Sequence, residues 1–287
     1  MTVHAGSLRG FAPSKTMANR LIKQHWKLPA SNGNRLMIIE DRKGQVLVLT
    51  LDNAERRNAL GMEMRIALQQ IFERIEAEAD IRAVVIKGAG AHFSAGADIT
   101  GMNVTTATGA RERFRISHKM VRGLVKSSKP IVAAVEGWCV GAGLSLALCC
   151  DTIVAASDSR FMASFGKVGL MGDLGLLHTL PARIGIGRAR QMVLYGNPMP
   201  ADEAERIGLV DRISEPGKAF DDAMTAAEQL ATAAALPIAL SKDFFARGID
   251  LSLDVEREYQ PMLLLSDDHR EGKAAFLEKR AAEFKGR

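Results

Sequence analysis

Apolar positions along this chain repeat with two different periods, and the changes of period mark out its elements. Leu36-Met37-Ile38-Ile39 and Val46-Leu47-Val48-Leu49-Thr50-Leu51 flank Asp41-Arg42-Lys43-Gly44, the pattern of two strands joined by a polar hairpin turn. Across Met62 to Ala79 the residues Met64, Leu68, Ile71 and Ile75 fall three or four apart, which makes one face of a helix. Ala83-Val84-Val85-Ile86 and Ile131-Val132-Ala133-Ala134-Val135 are short unbroken apolar runs between helical patterns and predict buried strands. Between them, Ala110 to Ser127 predicts a helix that stops before Lys129-Pro130, because the residue before proline avoids helical backbone. An apolar helix follows over Leu144 to Cys150, opened by Gly141-Ala142-Gly143, and then a strand at Thr152-Ile153-Val154-Ala155. After about residue 185 the pattern is helical, over 186–195, 201–207, 217–235, 237–247, 252–266 and 270–284, with one short strand at Leu209–Ile213. The chain is therefore expected to be α/β, with repeated β-β-α units over 36–220, a C-terminal helical region over 221–287 and an N-terminal arm over 1–35.

Composition narrows the class. Apolar residues make up 47% and charged residues 25% of the 287, the balance of a soluble globular protein, and no apolar run approaches the length of a membrane span. The net charge of +5 raises the question of a nucleic-acid or membrane partner, and the position of the charges answers it. No acidic residue precedes Glu40, while Arg9, Lys15, Arg20, Lys23, Lys27 and Arg35 give the first 35 residues +6. The remaining chain has 32 basic residues against 33 acidic ones, and neither a nucleic-acid nor a membrane partner is expected. The arm is basic and acid-free like a transit peptide, but a structural arm, or a start at Met17, is the preferred reading. Cys139, Cys149 and Cys150 lie in apolar stretches without a partner at metal-ligand spacing, so buried thiols and a cytoplasmic location are expected.

Two glycine-containing turns carry the candidate chemistry. His92-Phe93-Ser94-Ala95-Gly96-Ala97-Asp98-Ile99 follows the strand at 83–86, and Glu136-Gly137-Trp138-Cys139-Val140-Gly141-Ala142-Gly143 follows the strand at 131–135. Small residues let a ligand approach the backbone, and a helix opening at the second turn supplies unpaired N–H groups, so the two turns can aim two donors at one oxygen. These segments resemble the two signature segments of the crotonase superfamily, the enoyl-CoA hydratase/isomerase family. Asn58-Ala59-Leu60, Cys150-Asp151, Ala201-Asp202-Glu203-Ala204 and the stretch from Glu271 to Arg280 extend the resemblance over about 36–285.

The resemblance implies a crotonase (ClpP-like) fold, an acyl-CoA thioester substrate, no cofactor beyond the coenzyme A of that substrate, no metal, and a homotrimer or hexamer built on the C-terminal helices. It implies that the backbone N–H groups of Ala97 and Ala142 form an oxyanion hole, and that the chain around Ala59, Ala95, Asp98 and Ile99 binds coenzyme A. Arg56 and Lys279 are expected near its phosphates. The two glutamates that hydratases use align with Ser145 and Phe165, neither of which can exchange a proton, so ordinary hydration is disfavoured. Asp173 stands where isomerase and dehalogenase branches carry an acid, among apolar neighbours that suit it to proton transfer. Its other role would be to cap a helix starting near Leu174. His118 has the spacing of the histidine that activates water in the dehalogenase branch, and Trp138 is placed to pack against the acyl group. A single-carboxylate isomerase is the preferred reading. The alternatives are an aspartate/histidine dehalogenase or hydrolase, and a non-catalytic acyl-CoA-binding protein.

Overall fold

The computed structural model describes residues 37–287, so the arm expected at 1–35 lies outside the described residues. The hairpin forms as β1 (Ile38–Lys43) and β2 (Val46–Leu51), with Gly44 in left-handed backbone at the turn (φ 60°). Helix α1 (Met62–Ile75) leads to β3 (Ala83–Gly88), and α2 (Ala107–Val125) leads to β4 (Ile131–Val135). Helix α2 starts three residues earlier than its apolar face predicts, because the Thr106 hydroxyl accepts a hydrogen bond from Gly109 N at 3.1 Å and sets the start there. The short strand β5 (Trp138–Val140), helix α3 (Ala142–Leu148), and strands β6 (Thr152–Ala156) and β7 (Arg160–Met162) follow. The rest comprises α4 (Leu176–Tyr195), β8 (Met199–Pro200), α5 (Ala201–Arg206), β9 (Arg212–Ser214), α6 (Ala219–Thr232), α7 (Ala235–Phe245), α8 (Ile249–Leu264) and α9 (Asp267–Glu278). Gly185 (φ 74°, ψ 155°) breaks α4, so the helix expected from 186 is the second half of a longer element.

The main sheet runs β1-β2-β3-β4-β6-β9, with β1 antiparallel to β2 and the other pairs parallel. A strand buried on both faces shows no polar alternation, which is why β2 to β4 read as continuous apolar runs. Successive side chains still divide between the faces. Leu47, Leu49, Leu51, Val84 and Ile86 join the larger core with α1 and α2, while Val46, Val48, Val85, Val132 and Val154 pack against the alanines of α6. The boundary expected between 220 and 221 falls inside α6, whose Ala219, Ala223, Ala226 and Ala227 are buried against the sheet. No single helix of the described residues is long and apolar enough to cross a membrane.

Candidate active site

Both glycine turns leave the sheet at the carboxyl ends of parallel strands, β3 and β4, the end at which open α/β sheets bind ligands. They are stitched together by Ser94 N donating to Trp138 O (3.0 Å) and Val140 N donating to Ser94 O (3.0 Å). Asn58 locks the first turn from below. Its backbone is left-handed (φ 56°), which asparagine tolerates, and its side-chain amide donates to Ala89 O (2.9 Å) and His92 O (2.7 Å). Two glycines are required by space. Gly96 has φ 103°, and Gly143 presses so close to the first turn that a Cβ there would stand 2.6 Å from Ser94 Cβ. Gly143→Ala should therefore lower Tm by about 3–9 °C, the cost of about 1–3 kcal/mol for overpacking a filled site, as thermal unfolding will measure.

The turns wall a cavity of about 450 Å³. Arg56, Ala59, Ala95, Ala97, Asp98, Ile99, Ala142, Phe165 and Asp173 all line it. Among the described residues the N–H groups of Ala97 and Ala142 donate to no acceptor, and Ala142 is the first residue of α3, where helix geometry leaves the N–H unpaired. At the rim, Arg56 donates to Asp98 Oδ2 (3.1 Å) and Thr100 Oγ1 (2.9 Å). Burial opposes the charge of Asp98, but hydrogen bonds from Thr100 and the Arg56 guanidinium outweigh it and hold the carboxyl below its usual range.

Asp173 is 3% exposed, and its Oδ1 has no hydrogen-bond partner. It caps no helix: α4 begins at Leu176 behind Gly175, with no side-chain cap. Burial pushes the Asp173 carboxyl up to about 6, against the lowering influence of Arg65, His118 and Arg113. Its backbone turn is strained, because the buried Leu174 adopts left-handed backbone (φ 54°) ahead of Gly175 (φ 79°). Helix α8 holds that turn in place: Gly175 N donates to Glu256 Oε1 (2.8 Å), and Gln260 Nε2 donates to Met171 O (2.7 Å). Ser145 Oγ donates to Asp173 O (2.9 Å), so the position aligned with the first hydratase glutamate fixes the backbone of the remaining acid.

Three expected site residues stand elsewhere. His118 is not on the cavity wall: it is 1% exposed, and its Nε2 lies 3.1 Å from Glu256 Oε2. Burial pushes this imidazole down to about 4 and the Glu256 carboxyl up to about 7, so the pair disfavours separated charges. Trp138 lines a separate groove with His92, Arg160 and Phe220 and is not on the cavity wall. Lys279 is an exposed residue at the C-terminus of α9 and contributes nothing to the wall; its neighbours Phe276 and Leu277 do. Sequence reasoning passed over Met102, Met162, Ser164, Lys167, Phe276 and Leu277, which line the cavity from three stretches of chain with no common motif. It also passed over Arg65, Arg113, Glu256 and Gln260, whose buried charges and amide interrupt apolar helix faces and were the available signal. Among the described residues no cluster of three His, Cys, Asp or Glu side chains could hold a metal ion.

A six-stranded, mainly parallel sheet followed by C-terminal helices is the architecture of crotonase-fold enzymes, and comparison with known proteins agrees. The family profile "Enoyl-CoA hydratase/isomerase" matches residues 41–287. The chain belongs to the enoyl-CoA hydratase/isomerase family, whose members act on acyl-CoA thioesters. It is 35% identical over 250 residues to the 1,2-epoxyphenylacetyl-CoA isomerase of Escherichia coli K12, covering 84% of this chain and 95% of that one. It is 32% identical over 256 residues to the short-chain-enoyl-CoA hydratase of Clostridium acetobutylicum, covering 87% and 98%. The crystal structure of an enoyl-CoA hydratase from Mycobacterium avium subsp. paratuberculosis K-10 superposes with a TM-score of 0.79 at 28% identity, covering 87% of this chain and 99% of that one.

Proposed function

We propose that this enzyme isomerises a carbon–carbon double bond in an acyl-CoA thioester by a single-carboxylate proton shuttle. Asp173 removes a proton from the carbon next to the thioester carbonyl, the electrons move into a dienolate, and Asp173 returns the proton at the far end of the conjugated system. The amides of Ala97 and Ala142 donate to the carbonyl oxygen as it gains charge, where donors fixed in a dry site are worth most. The observation that carries the reading is that Asp173 lines the cavity and has a buried, unpartnered Oδ1, while the two positions aligned with the hydratase glutamates hold Ser145 and Phe165. Hydration needs a base for water and an acid for carbon, whereas one carboxyl suffices to move a proton within the same molecule.

The reading asks for no cofactor beyond the coenzyme A of the substrate. An oligomer built on the C-terminal helices is supported by the exposed apolar side chains Leu236, Leu240, Phe244, Leu251 and Met262 on α7 and α8. Incubation with 3-enoyl-, 2-enoyl- and aromatic acyl-CoA esters, followed by mass spectrometry and proton NMR, tests the reaction: a 3-enoyl ester should become its 2-enoyl isomer without change of mass. His118→Asn separates this from an aspartate/histidine hydrolase. Isomerase turnover should stay within about fivefold, because the imidazole is held neutral against Glu256, whereas loss of about 10²-fold or more, the size of an acid/base contribution, would favour the hydrolase.

A further inference from the structure

Asp173 lines the cavity, but among the described residues no donor holds its Oδ1, so the aim of the carboxyl depends on the backbone that carries it. That backbone does not hold itself. Leu174 is left-handed (φ 54°) ahead of Gly175 (φ 79°), and a non-glycine residue stays in that conformation only where its surroundings fix it. Three side chains supply the fixing. Ser145 Oγ on α3 donates to Asp173 O (2.9 Å), Gln260 Nε2 donates to Met171 O (2.7 Å), and Glu256 Oε1 accepts from Gly175 N (2.8 Å). Glu256 and Gln260 stand one turn apart on α8 and grip the chain two residues after and two residues before the acid.

Packing alone does not call for these two residue types. Glu256 is 1% exposed and Gln260 is fully buried, positions where apolar side chains would fill the space without the cost of desolvation. Burial pushes the Glu256 carboxyl up to about 7, although the amides of Gly175 and Leu174 favour its charged form. Gln260 spends its donor on Met171 O and leaves Oε1 buried without a partner, so what its amide gains is the hold on this turn. The helix that carries both is itself firmly seated. Asp250 at its start accepts from Arg122 Nε (2.6 Å) and Lys126 Nζ (2.6 Å) of α2, and its Ile249 closes on Gly175 so tightly that a Cβ there would stand 3.0 Å from Ile249 Cδ1. The C-terminal helix therefore meets the acid's turn at a fixed depth, and Glu256 sets the last hydrogen bond of that contact.

We propose that Glu256 is a positioning residue: by holding Gly175 N it aims the Asp173 carboxyl into the cavity, with Gln260 as the second hold on the same turn. The inference rests on Asp173 as the proton carrier but not on which double bond moves, so it is read on whichever of the 3-enoyl, 2-enoyl or aromatic acyl-CoA esters the enzyme turns over. Glu256→Leu removes the acceptor at similar size and should lower kcat by about 10- to 100-fold, the scale on which a displaced reacting group loses rate. The Kd of hexanoyl-CoA, which has no double bond to move, should change by less than about threefold in the same variant. Glu256→Gln keeps an oxygen for Gly175 N and should recover most of the loss, to within about fivefold of wild type. The double variant with Asp173→Asn should be no more than about threefold slower than Asp173→Asn alone, because an acid already removed cannot be misplaced. A loss of less than about tenfold in Glu256→Leu, a Gln variant as slow as the Leu variant, or losses that multiply in the double variant each overturn the proposal. If Glu256→Leu does not fold, Gln260→Met, which leaves Met171 O without its donor, carries the same expectations and the same thresholds. Full activity in Asp173→Asn sinks the proton-carrier reading and this proposal with it, whereas an inactive Asp173→Asn beside a fast Glu256→Leu sinks the proposal alone.

Discussion

Asp173→Asn should lower kcat by about 10³-fold, within the range of a lost acid/base group, while the Kd of a saturated acyl-CoA changes by less than about threefold. Asn keeps the size and polarity of the side chain at the buried end of the cavity, so a general packing failure would change binding and catalysis together, and loss of the proton carrier changes only catalysis. The wild-type rate has a matching pH dependence. Asp173 starts the reaction as a base and must be ionised, so with its carboxyl pushed up to about 6 the rate should rise with pH and level off above about 6. That ascending limb should vanish in the Asn variant. Stability moves in the opposite direction. Between the ordinary value of 3.8 and about 6, the unfolded chain has released this proton and the folded protein still holds it, so rising pH favours unfolding across that window. The penalty persists above it and amounts to about 3 kcal/mol for two pH units, so Asp173→Asn should be the more stable protein at pH 7 and should lose that advantage near pH 4. A Tm below wild type at pH 7 would show that the carboxylate is stabilised by partners other than those seen here.

Ala142→Pro should cost about 10²- to 10³-fold in kcat with the fold retained, the effect of removing one oxyanion donor. Proline suits this position because Ala142 is the first residue of α3, where its N–H has no partner in the helix and a fixed φ is tolerated. The preceding Gly141 already has φ 53° and ψ −121°, so the restriction that proline places on its neighbour meets a residue without a side chain. The substitution removes the donor and fills its place with Cδ, leaving the core behind it intact. Circular dichroism and Tm close to wild type, together with full activity, would mean that the Ala142 amide holds no charge in the reaction.

Much of this could be read before any coordinates. Period-two and helical spacings located the main strands and most helices to within a few residues, and the small residues of 94–99 and 137–143 marked the two turns because only such backbone lets a ligand come near. The strands β5, β7 and β8 escaped notice because two or three residues are too short for a period to register. His118 shows the limit most clearly. Its position on α2 is legible, but whether its ring faces the cavity or α8 depends on Glu256, 138 residues further along the chain. Trp138 fails for the related reason that the groove it lines is completed by Arg160 and Phe220, which lie further along the chain. The chain's own pattern thus determined the class of fold and the place of the two glycine turns, since these depend on local spacing and residue size, whereas Asp173 was singled out by the family resemblance and its apolar neighbours. Only the tertiary structure decided the surroundings of that acid. Burial, the clamp from α8 and the unpartnered Nη2 of Arg65 arise where segments far apart in sequence exclude water.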